Sequence, residues 1–566
     1  MEADRDERLR REAAEYYRGH RVPQRMEEAL NTLFPLRPAD LYGDLANYFS
    51  KFSKAPVVCK LAGRKVLDGV GQPTLEVEIY CTVKNREKRI CSAIISSHYQ
   101  IPENALSETT EADEKERNDS VTTAVEWVNE SLSTMIRDWK PTDQCEIDKM
   151  LGEYFSKKEE EKKGIEEEEE DDDTVSVTSC APSAVAQSGQ KKEAKTGKKS
   201  SIQTTIPPAE PSESVLCGSL AIGGTSLAVA KAGASINGIP LYLHTALLKR
   251  SQDSPKEMTL PLPMVTLLSC EKFSPSKLKL VKEVMLIPPV QLSLKQGIER
   301  ALDIQKEMMR LLEPAGKAPS PHLADSKKGR ARHKEKQAPV KGKYEILTGT
   351  FRSPDEMVDT YVELVNKFPS IIALVDPLRK EDRQQWNNLC RALGSKCYLI
   401  AEDAATNTSK LKTDQNINIP MCSGVVLKYV NQTKVSDLVE LTARLDGQRR
   451  VTILGSPDGE SSDDSLVDLA VGLGARFVKL GGLSRGERVT KYNRLLAIEE
   501  ELAKNRTLRY DANFEFADFD EESQPEKQQP EVLPPPQQDS VPSQLSVPAL
   551  QGHKVPAQLL ESSTLT

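Results

Sequence analysis

Histidine is scarce in this chain and cysteine is unpaired. Only 6 of 566 residues are His, and the 10 cysteines stand singly between Cys59 and Cys422 with no CxxC pair. That pattern excludes a zinc site or a disulfide framework as the organising device, and the thiols are expected to be reduced and mostly structural. No apolar run approaches membrane-spanning length, and the opening MEADRDERLRREAAEYYR is charged rather than apolar. A soluble, intracellular, cytoplasmic protein with no membrane partner is expected. The net charge of −8 argues against nucleic acid as a main partner, and the one basic stretch, SKKGRARHKEKQAPVKGK, has no aromatics to stack on bases. Only 38% of residues are hydrophobic and mean hydropathy is −0.50, so a good part of the chain should lie outside any core.

What is present divides the chain by pattern. Residues 1–55 read as a charged helical arm followed by two short amphipathic segments, with Met26, Leu30 and Leu33 on one and Leu41, Leu45 and Phe49 on the other. A helix pair this short cannot bury its own stripe, so it should dimerise or dock. Residues 56–156 begin with period-2 alternation, as in PTLEVEIYCTV, and return to helical spacing at Val121, Val125, Val128 and Leu132, which is an α+β pattern. Residues 157–214 are a like-charge block followed by Ser-, Lys- and Pro-rich sequence, expected to be disordered; 215–259 resumes with a small-residue helix.

From 260 to 510, short apolar runs alternate with helical patterns: PMVTLLSC, VMLIPPV, IIALVDP, CYLIAED, GVVLKYV, VTILGS and RFVKLGG. Repeated βα units of this number imply α/β architecture with a parallel barrel, interrupted by a basic join at 313–343. Residues 511–566, rich in Pro and Gln, are expected to be a disordered tail. In GVVLKYVNQ the apolar run closes on Lys428, which puts that lysine at the carboxyl end of a strand, where α/β folds keep their chemistry. Two readings of it stay open. It is either a snorkelling lysine or a base whose pKa is lowered by burial and like charges.

Several stretches resemble the enolase family, in the family's order, over roughly residues 57–505: VLDGVGQPTLEVEI, SLAVAKAGASINGIPLYLH, LPLPMV, VLKYVNQ, DLAVGLGARFVKLGG and SRGERVTKYNRLLAIEEEL. The acidic insertion and the N-terminus look most like a divergent, sperm-associated branch of that family. RVPQRMEEALNTLFPLRPADLYGDLANYF is also similar to the dimerisation-and-docking helix pair of cAMP-dependent kinase regulatory subunits and related flagellar proteins. The resemblance implies an enolase-like small cap domain before a (β/α) barrel of the TIM type. It also implies phosphopyruvate hydratase activity on 2-phosphoglycerate, dependent on Mg²⁺, in the cytoplasm or the sperm flagellum. The implied partners are a second subunit, of this chain or of another enolase, and a flagellar protein bound through residues 23–49.

Residue by residue, the resemblance makes Lys428 the proton acceptor, Lys479 and Glu283 substrate-binding groups, and Glu402 a metal ligand in place of the family's aspartate. Four family groups are missing. Val375 stands for a metal-binding acid, with Asp376 beside it; Gly69 stands for a mobile-loop serine; Ser456 and Pro457 stand for a histidine and an arginine. The family's third barrel strand, and the loop bearing its general-acid glutamate, have no counterpart before KYEILTG, which is expected to slide into the gap. A degenerate, non-catalytic scaffold is therefore the competing expectation.

Overall fold

The computed structural model describes residues 2–96, 107–173, 216–250, 255–269, 280–312, 342–347, 349–402, 419–457, 459–510, 513–516 and 519. A charged helix, Glu2–Gly19, leads through Arg21 in the left-handed region to helices Val22–Leu33 and Leu41–Ser50. Asp40 caps the last of these by accepting from Gly43 N–H at 2.9 Å, and Arg37, also at positive φ, turns the chain ahead of Pro38. The pair buries only Ala29 and Leu33, while Phe34, Leu36 and Tyr42 stay exposed.

An antiparallel meander follows, formed by β1 (Val57–Leu67), β2 (Pro73–Val83) and β3 (Arg86–Ile95). Alternation turns Leu75, Val77 and Ile79 inward against the small-residue helix Leu220–Asn237. The helix comes close because Gly223 and Gly224 face it to the sheet: a Cβ on Gly223 would lie 2.5 Å from Ile95 Cδ1, and one on Gly224 3.0 Å from Val77 Cγ2. The boundary expected at residue 157 is not where the helix ends. Gln144–Asp173 continues through the like-charge block, where Glu and Lys are good helix formers and Lys158 pairs with Glu161 at 2.7 Å one turn on. The rest of the expected disordered insertion, from 174 to 215, lies outside the described residues, as does the tail from 520.

The main sheet uses all seven apolar runs. After β4 (Met258–Thr259) come β5 (Leu262–Ser269) and β6 (Glu283–Leu286). The hairpin β7 (Tyr344–Leu347) and β8 (Thr350–Arg352) is followed by β9 (Ala373–Val375), β10 (Tyr398–Ala401), β11 (Gly424–Lys428), β12 (Val451–Gly455) and β13 (Phe477–Gly481), and β14 (Leu508–Arg509) pairs with β4. The strand order is β6-β5-β13-β12-β11-β10-β9, with helices such as Val435–Gly447, Ser465–Leu473 and Gly486–Lys504 between strands. Met264, Tyr398, Ile400, Val426, Ile453 and Phe477 fill the inside of the curve, with Phe514 and Phe516 against them.

Two expectations are corrected. The sheet is not wholly parallel: β6 runs antiparallel to β5, with Ser269 opposite Glu283. Nor does KYEILTG fill the gap. It pairs with β8 in a separate hairpin and touches the far side of the gap through one bond, Leu280 N–H to Ile346 O at 3.1 Å. Its residues form a tight turn through Gly349 at positive φ, which commits the strand to its own neighbour. Among the described residues, β6 and β9 are therefore the two edges of the main sheet. Hydrogen exchange should run at least about tenfold faster in β6 and β9 than in β11 and β12, which pair on both sides. Equal protection in all four would show that the edges are covered.

Candidate functional site

The antiparallel turn of β6 matters for the site. In a parallel strand, Glu283 at the strand's start would point to the opposite end of the sheet from Lys428 at the end of β11. Reversal brings it to the same mouth, beside the end of β5. Four charged side chains meet there. Lys428 Nζ lies 3.0 Å from Glu402 Oε1, Lys479 Nζ lies 2.7 Å from Glu402 Oε2, and Lys479 Nζ also reaches Glu283 Oε2 at 3.3 Å. Thr266 Oγ1 donates to the other oxygen of Glu283. The main-chain N–H of Glu402 is held by Asp376 Oδ1 at 2.9 Å, and Asp376 takes a positive φ at the end of β9 to make that contact.

The electrostatics follow from this crowding. Burial opposes ionisation of Glu402, but the two lysines outweigh it and hold its pKa at about 2. Burial also works against the charge on Lys479, and Glu402 and Glu283 more than offset that, so its pKa is raised. At neutral pH Glu402 is an anion bridging its two lysines.

All four residues expected from the sequence are thus brought together, and the neighbours explain more. Ser456 stands beside them on the main chain, its N–H donating to Lys479 O at 2.9 Å, while its buried hydroxyl has no protein partner among the described residues. Val375 ends β9 with an apolar side chain. Gly69, on the β1–β2 loop, donates its N–H to Glu460 O at 2.9 Å. A second cluster went unmarked by motif: buried Glu460 takes Lys491 at 2.8 Å and Arg488 at 3.1 Å, and Lys491 Nζ also donates to Ser461 O. Its trace in the sequence is the stretch SRGERVTKYNRLLAIEEEL, which holds Arg488 and Lys491 but says nothing of their partner Glu460. Thr266 was missed too, because nothing in a β-strand's pattern distinguishes a hydroxyl that holds a carboxylate from one that packs.

A side chain at position 69 has nowhere to go. A Cβ there would lie 2.8 Å from Glu460 O and 2.8 Å from Glu487. Gly69→Ser should lift the loop, expose it to protease and cost roughly 1–3 kcal/mol of stability, as overpacking does. Unchanged urea midpoint and cleavage pattern would show that the loop is not seated there.

Mg²⁺ does not fit this donor set. Both oxygens of Glu402 are already engaged by ammonium groups, Val375 offers no oxygen, and among the described residues no three His, Cys, Asp or Glu side chains converge to hold a metal. A hard cation of this kind needs several oxygens around it.

An open α/β barrel sheet whose first pair is antiparallel, joined to an α+β cap and carrying lysines and glutamates at one mouth, defines a class of capped barrel proteins. The comparisons are more specific. Residues 332–515 match the family model described as the C-terminal TIM barrel domain of enolase. The chain is 45% identical to Enolase 4 of Homo sapiens, with 92% of each chain covered, and 45% identical to Enolase 4 of Xenopus laevis, over 90% of this chain and 94% of that one. It is 29% identical to Enolase of Neorickettsia sennetsu over 50% of this chain and 74% of that one. The chain belongs to the enolase family, as a divergent member. No helix among the described residues is long and apolar enough to cross a membrane.

Proposed function

We propose that this chain is an enolase-type lyase that dehydrates 2-phosphoglycerate to phosphoenolpyruvate in glycolysis, serving the motility of the sperm flagellum. The observation that supports this is the convergence at one barrel mouth of Lys428, Lys479 and Glu283, which come from three different strands far apart in sequence. In this reading Lys428 Nζ, once Glu402 has left it and its own proton has passed to solvent, accepts the proton from C2 of the substrate. The electron pair left behind forms the C2–C3 double bond as the C3 hydroxyl takes a proton from solvent and departs as water. Lys479 sits against the substrate carboxylate and offsets the negative charge that grows there, and Glu283, fixed by Thr266, holds Lys479 in place. No step is assigned to Mg²⁺, because the donors do not fit it.

A second reading has its own support. With the metal-binding acids reduced and an apolar helix pair exposed at Val22–Leu33 and Leu41–Ser50, a catalytically degenerate enolase-like scaffold in the flagellum or cytoskeleton is the alternative. Homodimers or mixed enolase dimers are compatible with either. A coupled assay for phosphoenolpyruvate formation by the purified full chain, with and without Mg²⁺, decides between them. Product above the uncatalysed rate supports the lyase, and its absence under both conditions supports the scaffold.

A further inference from the structure

We infer that Glu402 is an internal counter-anion occupying the place of a ligand carboxylate, and that the barrel mouth takes a small carboxylate ligand by exchanging it for Glu402 rather than by holding it on a metal ion. This deepens the proposed function, since it takes Lys428 and Lys479 as the ligand-facing cations. The geometry carries it. One carboxylate places one oxygen on each ammonium, at 3.0 Å on Lys428 and 2.7 Å on Lys479, which is the bridging arrangement a substrate carboxylate would make. The two glutamates are held by different kinds of partner. Glu283 is tied by Thr266 and lies on paired strand, so it stays and fixes Lys479. Glu402 follows Ala401, the last paired residue of β10, and its side chain bonds only the two lysines among the described residues, while its main chain is anchored by Asp376.

Charge counting points the same way. Two lysines and two glutamates sum to zero and Asp376 adds a further carboxylate against the main chain of Glu402, so the resting mouth has no surplus positive charge with which to draw in an anion. The nearby cations Arg488 and Lys491 are committed to Glu460. Once Glu402 swings away, the two ammonium groups face a ligand with a single remaining partner, and an anion becomes the best available replacement. A mouth built this way is gated by its own carboxylate.

The decisive comparison is the sign of the effect of removing that carboxylate. Isothermal titration of 2-phosphoglycerate into the full chain is run in EDTA and in Mg²⁺, for the wild type, Glu402→Gln and Glu402→Asp, with circular dichroism to confirm folding. The expected result is wild-type affinity unchanged by EDTA and roughly tenfold tighter binding to Glu402→Gln, about 1.4 kcal/mol. D-glycerate should show the same gain and glycerol 2-phosphate, which lacks the carboxylate, should not. Were Glu402→Gln unable to fold, Glu402→Asp serves instead: it restores the shorter acid, and binding should remain indifferent to Mg²⁺. Loss of binding in Glu402→Gln, dependence on Mg²⁺ in the wild type or in Glu402→Asp, or no binding to any of the three would overturn the inference. Turnover is measured apart from binding. Metal-free binding without product defeats the lyase reading and leaves this one standing, whereas product that requires Mg²⁺ does the reverse.

Discussion

On the proposed lyase reading, Lys428→Ala is expected to lower phosphoenolpyruvate formation by about 10³-fold while leaving the melting curve nearly unchanged. A positioned general base contributes on this order, and neither Lys479, held protonated by its two glutamates, nor Glu402, too weak a base, can stand in for it. The fold should tolerate the change because Glu402 keeps Lys479 as its partner, and the strand β11 around Lys428 is packed by Val425, Val426 and Leu427, not by the lysine head. Lys428→Arg separates charge from chemistry. Arginine can keep the ion pair with Glu402 but does not give up its proton near neutral pH, so it should be as inactive as alanine. Steady-state rates from the coupled assay check both, and wild-type turnover in either variant removes Lys428 from the reaction.

Much of this site was legible before any coordinates because strand ends are written in composition. The run GVVLK ends on its lysine, and β11 ends there too; the apolar stretches of β5, β6, β9, β10, β12 and β13 were equally plain. Direction was not. Alternation and apolarity mark a strand but carry no sign, so the reversal of β6 was invisible, although the absence of a helical pattern between β5 and β6 was the available hint. The helix Arg383–Leu393 is harder to read for a different reason: its polar face, RQQ and NN, masks the buried Trp386, Leu389, Cys390 and Leu393. The charged stretch beyond residue 157 was read from net charge, whereas Lys–Glu spacing along a helix decides its local structure. At the mouth itself, position could be inferred from resemblance, but partnership could not. Whether Glu402 faces a cation from solution or two lysines of its own chain depends on Val375, on the missing neighbours, and on side chains that meet only when the sheet curls.

The same limit applies most strongly to the contact that joins cap to barrel, where the largest stability effect is expected. Asp463 and Lys231 are far apart in the chain, yet Lys231 Nζ on the Leu220–Asn237 helix lies 3.0 Å from Asp463 Oδ2, which also accepts Ile94 N–H of β3 at 3.0 Å, while Asp463 Oδ1 accepts Ser465 N–H at 2.9 Å. One buried carboxylate therefore ties a cap helix and a cap strand to the start of a barrel helix. Asp463→Ala strands an ammonium and two N–H groups together and should cost ~3–5 kcal/mol. Lys231→Met should cost less, roughly 1–2 kcal/mol, because the carboxylate keeps its two backbone donors. The pH dependence has a definite sign. Burial raises the pKa of Asp463 and its partners, chiefly Lys231, more than reverse this, so the folded value lies below the unfolded one near ~3.9. The pair's stabilisation is then complete above that unfolded value and is lost as pH falls through the lowered folded one. On the alkaline side, Lys231 is raised, with burial opposing and Asp463 prevailing, so its contribution is complete below the ordinary lysine value near ~10.4 and is lost as pH rises through the raised one. Urea denaturation of the wild type, Asp463→Ala and Lys231→Met at neutral pH, and of the wild type from about pH 3 to about pH 11, checks all of this. Equal costs for the two substitutions would mean that the carboxylate acts only as the lysine's counter-ion and is not the hub that fastens the cap.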